Sequence, residues 1–251
     1  MRYEELIVVW RNKQIKTAAD IACEMNGNGA AFIYHSAKIE NDRITYHDTR
    51  EIFDHGGVTG YTGDVRSLFE IQNSVAAYYR MLDAFEKREP LSEALIREFQ
   101  YLLTQGTYDT LRYQKGERPG SYKKHDYVTG AGEVGAIPED VPEELGELLR
   151  ELEDIQPEQA LTAAAYFHAK FENIHPFADG NGRTGRLLMN YLLLLWDHPP
   201  IIIHEEDRRD YYAALEQFDS AQELDALVDF LKAQAVKTWQ THFSRNKRAE
   251  K

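Results

Sequence analysis

The segment from His175 to Arg186 has the sequence HPFADGNGRTGR and lies between two stretches whose apolar spacing predicts helices. Gly180 and Gly182 come just before the second helix, and such glycines leave backbone N–H groups at a helix N-terminus open to an anion. Arg183 and Arg186 add two cations on one face of the first turn, where the helix dipole is already positive. Because this charge needs a negative partner, the segment predicts a phosphate-binding loop.

Two further side chains of this segment suit a reaction at a phosphate. Asp179 supplies one carboxylate, and Mg²⁺ in proteins is often held by one or two carboxylates beside substrate phosphates and water. His175 carries an imidazole, which can take a proton from a hydroxyl near neutral pH. Phe177, between them, is expected to point inward and anchor the loop. Each residue alone has a commoner role in a cap, a turn or a solvated helix face, and their occurrence together favours the site.

Helical spacing continues on both sides of the loop, with Ser92 as an N-cap candidate. Between the second and third predicted helices, a glycine-rich stretch at 116–135 carries Tyr127 and Val128 and predicts a small β-hairpin. Since no linker composition separates two domains, the chain is expected to be mainly α with one hairpin. The predicted helices cover Val65–Glu86, Leu91 to Gly106, Val141–Leu152, Glu158–Asn173, Arg183–Trp196, Arg208–Ser220 and Leu224–Trp239.

Composition limits the partners and the location of the protein. Its 251 residues, 43% of them hydrophobic, are enough for a sizeable core. The single Cys23 and the absence of a long apolar N-terminal segment favour a reducing cytoplasm, and the longest apolar stretch, Tyr191–Trp196, is too short to cross a membrane. The net charge of −13 argues against a nucleic-acid partner. Residues 240–251 include a basic run that is expected to be a solvated tail.

His175–Arg186 matches the pattern H-x-F-x-[D/E]-G-N-G-R-x-x-R at every defined position and so resembles the signature of the Fic family. The surrounding helices and the hairpin resemble the Fic core, placed here at residues 91–235. The resemblance implies a Fic-type helical bundle with a small β-hairpin flap. It also implies a protein adenylyltransferase, which uses Mg²⁺ and moves AMP from ATP to a Ser, Thr or Tyr hydroxyl of a target protein or of itself. Relatives often form homodimers.

The same resemblance implies a role for each residue of the site. His175 would deprotonate the target hydroxyl and Asp179 would hold Mg²⁺. Tyr211 and Tyr212 resemble a tyrosine pair that borders the nucleotide, although Tyr211 could equally be a core aromatic. Many relatives place an Asn two helical turns after this pair to contact adenine, and Asp219 at that position leaves the choice of base open. The residues implied to bind the phosphates are Gly180, Asn181, Gly182, Arg183 and Arg186.

The predicted hairpin resembles the Fic flap, which pairs with a target segment as an added strand and thereby aligns its hydroxyl. Tyr122, Tyr127 and Val128 would belong to that edge. An ordinary hairpin that only covers the core is the alternative. A metal site at His168 is rejected, because no further His or Cys lies at ligand spacing, and a place in the core explains this residue better.

The N-terminal region, residues 1–88, carries the sequence SAKIEN from Ser36 to Asn41, within a predicted inhibitory helix at about 30–41. This sequence resembles the family's inhibitory pattern, Ser/Thr-x-x-x-Glu-Gly/Asn. Glu40 would form a bidentate pair with Arg186, keep ATP from its productive pose and be supported by Ser36. Without the core motif the segment would be an ordinary solvated helix face. Removal of AMP, transfer of another phosphate-containing group and a non-catalytic nucleotide sensor remain alternatives.

Overall fold

The computed structural model describes residues 1–25, 28–127 and 135–249, with side chains up to residue 240. These residues form helices joined by loops and short turns, and none of them lies in a strand. No helix among them is long and apolar enough to span a membrane. The helices are, in chain order, α1 (Tyr3–Asn12), α2 (Ala18–Glu24), α3 (Asn28–Glu40), α4 (Tyr46–His55), α5 (Val65–Glu86), α6 (Glu93–Thr104), α7 (Thr110–Gln114), α8 (Val141–Glu151), α9 (Ala160–Ile174), α10 (Asn181–Leu195), α11 (Arg208–Ala221) and α12 (Asp225–Ala249).

The mainly helical fold is confirmed, whereas the small β-hairpin is not. Residues 116–127 form turns and irregular backbone without a strand. Val128 and the residues up to 134 lie outside the described part of the chain. The hairpin therefore remains a prediction from the glycine-rich composition of this stretch.

Capping explains where several helices begin. Ser92 accepts the N–H of Leu95 at 3.3 Å, as expected for the N-cap of α6. In contrast, α10 begins at Asn181, before the predicted start at Arg183, because Gly180 serves as its N-cap with φ of 80°. Glycine adopts this left-handed backbone conformation without strain, whereas it is unfavourable for residues with a side chain. The glycine pair of the motif is thus split between the loop and the first turn of the helix.

The centre of the fold is the pair α9 and α10, which pack closely against each other. Nearly every residue of α10 is buried, because this helix also contacts α3, α5 and α6. The short connection from His175 to Gly180, hereafter the motif loop, joins these two helices. The residues with predicted chemistry are therefore carried by the most rigidly packed part of the molecule.

The N-terminal helices share the core of the motif helices. Helix α3 packs on α4, α5 and α10, while α1 packs on α12. At the contact of α1 with α12, the rings of Trp10 and Trp239 meet edge to face at 5.1 Å. The indole N–H of Trp239 donates to the Pro200 carbonyl at 2.7 Å. This joins the first helix to the last one.

Replacement of Trp10 by Ala should therefore lower the free energy of unfolding by about 3–5 kcal/mol, the usual cost of truncating a fully buried aromatic. The Trp10 side chain is only 1% exposed. Val8, on the same helix, is 59% exposed, and Val8→Ala should change the free energy by less than about 0.5 kcal/mol. Urea unfolding followed by circular dichroism measures both variants. If Trp10→Ala lowered the free energy of unfolding as little as Val8→Ala does, α1 would not be part of the cooperative core.

Candidate functional site

The motif loop is held in shape by its own side chains. His175 ends α9 in the left-handed conformation, with φ of 50°, and its N–H donates to the Phe171 carbonyl at 3.0 Å. The Asn181 side chain accepts the Phe177 N–H at 3.0 Å and donates to the Phe177 carbonyl at 2.8 Å. Phe177 itself is fully buried, as expected. Since the Asn181 amide is bound to the loop, only its backbone N–H is left for an anion at the N-terminus of α10.

A cavity of about 740 Å³ opens above this loop. Most of the residues singled out from the sequence line it, while Ser36 and Tyr122 are not among them. The predicted residues that line it are Glu40, Tyr127, His175, Asp179, Gly180, Asn181, Gly182, Arg183, Arg186, Tyr211, Tyr212 and Asp219. Charged residues that the sequence analysis did not select also line it, namely Arg66, Glu70, Arg112, Glu172 and Glu216.

Arg186 is buried and bound from helix α3. Its Nη2 donates to Glu40 Oε1 at 2.7 Å and to the Ser36 carbonyl at 2.8 Å, while its Nε donates to Ser36 Oγ at 3.1 Å. The expected bidentate pair is therefore absent among these contacts. Ser36 takes the second side of the guanidinium group, so only one carboxylate oxygen of Glu40 is bound. Helix α3 thus supplies both the counter-ion and two further acceptors for Arg186.

The groups behind Arg186 are neutral at pH 7, so they do not compete with Glu40. Burial and the nearby Arg186 charge lower the pKa of His168 to about 3. Burial raises the pKa of Glu172 to about 8. His168 shares a hydrogen bond of 2.6 Å with the Tyr211 hydroxyl, which also accepts from Arg186 at 3.4 Å. Tyr211 is fully buried, so this residue belongs to the core and to the wall of the site at once.

Arg183 is nearly as buried as Arg186, but no partner satisfies it fully. Its nearest carboxylate oxygens are Asp179 Oδ1 at 3.6 Å and Glu70 Oε1 at 3.8 Å. In the described part of the chain, its Nε and Nη1 have no hydrogen-bond partner. Buried donors without partners are costly, so this guanidinium group is prepared for an anion.

Asp179 faces the cavity with arginines around it. Arg66 Nη2 lies 3.0 Å and Arg112 Nη2 3.7 Å from Asp179 Oδ2. No group of three or more His, Cys, Asp or Glu that could hold a metal occurs among the described residues. A single carboxylate nevertheless fits Mg²⁺ that takes its other ligands from phosphate and water. Asp179 could act in this way if the metal replaced Arg66 on its oxygen.

A short polar chain connects Asp179 to the end of helix α3. Arg66 also donates from Nε to Glu70 Oε1 at 3.0 Å, and Glu70 Oε2 accepts the Asn41 amide at 2.7 Å. Asn41 follows Glu40 directly in the chain. One end of α3 therefore contacts Arg186 through Glu40 and reaches Asp179 through Asn41.

His175 is half-buried and faces the cavity as a neutral imidazole. Burial, together with the positive charge of Lys123, lowers the pKa of His175 to about 4. The side chain can therefore accept a proton at neutral pH. The Lys123 backbone N–H donates to the Pro176 carbonyl at 2.9 Å, and the Ala136 N–H donates to the Ile174 carbonyl at 3.0 Å. Both ends of the segment 123–136 are thus attached on either side of His175.

The predicted flap residues separate into two groups. Tyr122 packs its ring on Phe177 with centroids 5.6 Å apart and donates to Glu93 at 2.9 Å, so it is directed toward the core. Tyr127 donates to the buried Glu117 at 3.0 Å and lines the cavity. Val128 lies outside the described residues. Of the two predicted edge residues that the structure describes, Tyr127 lies beside the site and Tyr122 does not.

The remaining wall of the cavity comes from helix α11. Tyr212 is 46% exposed, which contrasts with the fully buried Tyr211. Asp219 accepts the Asn173 amide at 3.1 Å. The lining residues of α11 also include Leu215 and Glu216, and none of those described carries a positive charge.

The charged residues missed from the sequence lie far from the motif in the chain. Arg66 and Glu70 are one helical turn apart on α5, a spacing that usually indicates a solvated ion pair. Arg112 belongs to the short helix α7, whose N-cap Asp109 was the available signal. Sequence spacing could not show that both elements meet Asp179.

Comparisons with known proteins agree with this geometry. Residues 90–193 match the model of the Fic/DOC family. A protein adenylyltransferase Fic from Nematostella vectensis is 31% identical over 191 residues, which are 74% of this chain and 42% of that protein. Another, from Drosophila persimilis, is 32% identical over 184 residues, which are 72% and 34% of the two chains. The crystal structure of a Fic domain-containing signaling protein from Bacteroides thetaiotaomicron superposes with a TM-score of 0.78 at 25% identity and covers 95% of this chain and 94% of its own.

The chain therefore contains a Fic/DOC family domain at residues 90–193. It spans less than half the length of these two curated relatives. The likeness to the bacterial structure covers 95% of this chain and so extends well beyond residues 90–193 into the N-terminal helices.

Gly185 makes the close approach of α9 and α10 possible, and its replacement by Ala should lower the free energy of unfolding by about 1–3 kcal/mol. A Cβ at this position would lie 2.8 Å from His168 Nδ1 and 3.0 Å from Glu172 Oε1. Gly146, in the middle of α8, is the control, since its nearest contact would be Arg150 Nη1 at 3.5 Å. Gly146→Ala should raise the free energy of unfolding by about 0.5–1 kcal/mol, because alanine is favoured over glycine inside a helix. Chemical unfolding measures both, and the same sign for both would contradict the packing argument.

Proposed function

We propose that this chain is a protein adenylyltransferase, which transfers AMP from ATP to a Ser, Thr or Tyr hydroxyl of a target protein. The main support is that one cavity is lined both by His175, whose imidazole is neutral, and by Arg183, a buried guanidinium group with donors that have no hydrogen-bond partner. Such a pair suits proton removal from a nucleophile next to bound phosphate. The names of the relatives from Nematostella vectensis and Drosophila persimilis support the same reaction.

In the proposed reaction, the target hydroxyl oxygen attacks the α-phosphorus of ATP while His175 takes the hydroxyl proton. A bond from this oxygen to the α-phosphorus forms, and the bond from the α-phosphorus to the bridging oxygen breaks, so pyrophosphate leaves. The backbone N–H groups of Asn181 and Gly182, with Arg183 and Arg186, would stabilise the phosphate charge. Mg²⁺ held by Asp179 would neutralise further charge on the leaving group. Tyr127 borders the cavity where a target segment would enter.

Autoinhibition is part of the proposal. Glu40 Oε1 lies 2.7 Å from Arg186 Nη2, and the Glu40 carboxylate lies next to Gly182 in the first turn of α10. A phosphate group cannot bind Arg186 there without displacing it, because the two anions would share one guanidinium edge. In this division of the chain, residues 1–88 carry the inhibitory helix and residues 91–235 carry the catalytic core.

The Glu40→Gly variant should modify proteins with AMP at least about tenfold faster than the unchanged protein, since one charge-assisted pair no longer opposes the nucleotide. Transfer of radiolabelled AMP from ATP with Mg²⁺ to lysate proteins measures the rate, and mass spectrometry identifies the group and the side chain modified. Asp42→Asn is the control, because Asp42 forms an exposed ion pair with Arg208 at 2.7 Å just beyond the helix. A Glu40→Gly rate no higher than that of the control would contradict autoinhibition.

The pH profile tests the role of His175 in the Glu40→Gly variant. Since a base must be unprotonated, and the pKa of His175 is lowered to about 4, the rate should fall only as the pH drops toward that value. Lys123→Met should move this fall to higher pH, because the lysine charge contributes to the lowered pKa. Lys124→Met, at the exposed next position, should leave the profile unchanged. Loss of activity already near the ordinary histidine pKa, or full activity of His175→Ala, would contradict the assignment.

Removal of AMP is a second candidate function. Glu40 keeps one carboxylate oxygen outside its bond to Arg186 and lines the cavity that contains His175. That oxygen could orient a water for attack on a phosphodiester. Incubation of an AMP-modified protein with the unchanged enzyme and with Glu40→Gly tests this reaction, because hydrolysis should require the carboxylate.

A further inference from the structure

Three of the arginines that line the cavity meet at Asp179, although the chain as a whole carries a net charge of −13. Four arginines line the cavity, and each comes from α5, α7 or the first turns of α10. Arg183 and Arg186 belong to the motif, whereas Arg66 and Arg112 come from two separate elements outside it. The described lining residues of α11 include no cation. The phosphate end of a ligand would therefore meet more arginine donors near Asp179 than along α11.

Asp179 is the common partner of three of these arginines. Its carboxylate oxygens lie 3.0 Å from Arg66, 3.6 Å from Arg183 and 3.7 Å from Arg112. Arg66 also pairs with Glu70 at 3.0 Å and Arg112 with Asp109 at 2.6 Å, but each guanidinium group offers five N–H donors, more than these contacts use. The distances from Asp179 to Arg112 and Arg183 are also too long for hydrogen bonds. These arginines are gathered around Asp179 without being saturated by it.

Unpaired donors support this interpretation. Within the described residues, Arg112 Nε and the Nε and Nη1 atoms of Arg183 are buried and have no hydrogen-bond partner. Arg183 as a whole is only 4% exposed. Because buried donors are nearly always paired, unpaired donors on two neighbouring guanidinium groups indicate a missing ligand with several acceptor oxygens. Phosphate groups have this chemistry.

We propose that Arg66 and Arg112 bind the terminal phosphates of the nucleoside triphosphate, and with them the pyrophosphate that leaves. If Asp179 held Mg²⁺, Arg66 would lose its 3.0 Å contact with this carboxylate, and its guanidinium group would be left to bind phosphate next to it. Arg112, over the ring of Tyr108 at 5.7 Å, is held in place for the same ligand. The proposal rests on the proposed function to the extent that a nucleoside triphosphate occupies this cavity.

Binding affinity as a function of phosphate number tests the proposal without turnover. The full chain with Glu40→Gly and His175→Ala serves as the background, and calorimetry measures its affinity for ATP with Mg²⁺, for inorganic pyrophosphate with Mg²⁺ and for AMP. Adding Arg66→Ala or Arg112→Ala should weaken ATP and pyrophosphate binding roughly tenfold, as expected for one charge-assisted contact. AMP affinity should change by less than about twofold, because AMP lacks the terminal phosphates.

Arg50→Ala is the matched control, because Arg50 forms an exposed ion pair with Asp54 on α4 at 3.1 Å, and it should leave all three affinities unchanged. Arg66→Lys keeps the charge at the position and should recover part of the ATP affinity. It also provides a folded comparison if loss of the Asp179 contact destabilises Arg66→Ala, which thermal melting detects.

The outcomes separate this inference from the proposed function. Equal weakening of AMP and ATP would show a purely structural role for the arginines and overturn the inference. If neither substitution changed the affinity for ATP or for pyrophosphate, the inference would be overturned as well, although nucleotide binding itself would stand. A background protein that binds neither ATP nor pyrophosphate would instead contradict the proposed function itself, and the inference with it.

Discussion

A buried guanidinium needs a counter-ion, and the arrangement of the molecule around Arg186 follows from this need. Arg186 is 3% exposed, and a charge so far from water is tolerated only when it is paired and hydrogen-bonded. Glu40 is the one carboxylate within ion-pair distance of it among the described residues. Helix α3 must therefore pack against α10, α4 and α5 in the register that brings Glu40 to this position. The N-terminal helices are in this sense part of the site.

The electrostatic surroundings keep that pair isolated. His168 and Glu172 contribute hydrogen-bonding capacity beside Arg186 without net charge at pH 7, because burial moves both pKa values away from their ordinary ranges. His175 is neutral for the same physical reason, although it serves a different purpose in the proposed reaction. Burial thus has two effects, since it keeps the neighbours of Arg186 uncharged and keeps the imidazole of His175 free of its proton. Both effects depend on the close packing of α9 and α10.

The sequence predicted the long helices and the motif loop well, because periodic apolar spacing and glycine next to charge are local signals. Helix α5 has the predicted bounds of Val65–Glu86. The start of α10 was placed too late, since Gly180 caps the helix through a backbone angle that the sequence does not display. Asn181 was expected to bind phosphate, and the structure adds that its side chain closes the loop on Phe177. The ion pair between Glu40 and Arg186 was expected, but the hydrogen bond from Arg186 Nε to Ser36 Oγ in place of a second carboxylate contact was not.

Other features could not be predicted because they depend on elements that meet only in the folded chain. Arg66 and Arg112 lie on α5 and α7, and each has an ion-pair partner three or four residues away on its own helix or at its N-cap. Their approach to Asp179 results from the packing of three separate elements. Helices α2 and α4 are also short and were not predicted, although Thr17 and Thr45 at their N-caps were available as local signals.

The attachment of the segment 123–136 restricts which residue can stand beside His175. Its two ends donate hydrogen bonds to the carbonyls of Pro176 and Ile174, the residues on either side of His175. Gly135 is needed at one fastening point, because a Cβ there would lie 2.8 Å from the Ile174 carbonyl oxygen. The same Cβ would lie 2.9 Å from the Cβ of His175, so a side chain at position 135 would disturb the attachment of this segment and the placement of His175 together.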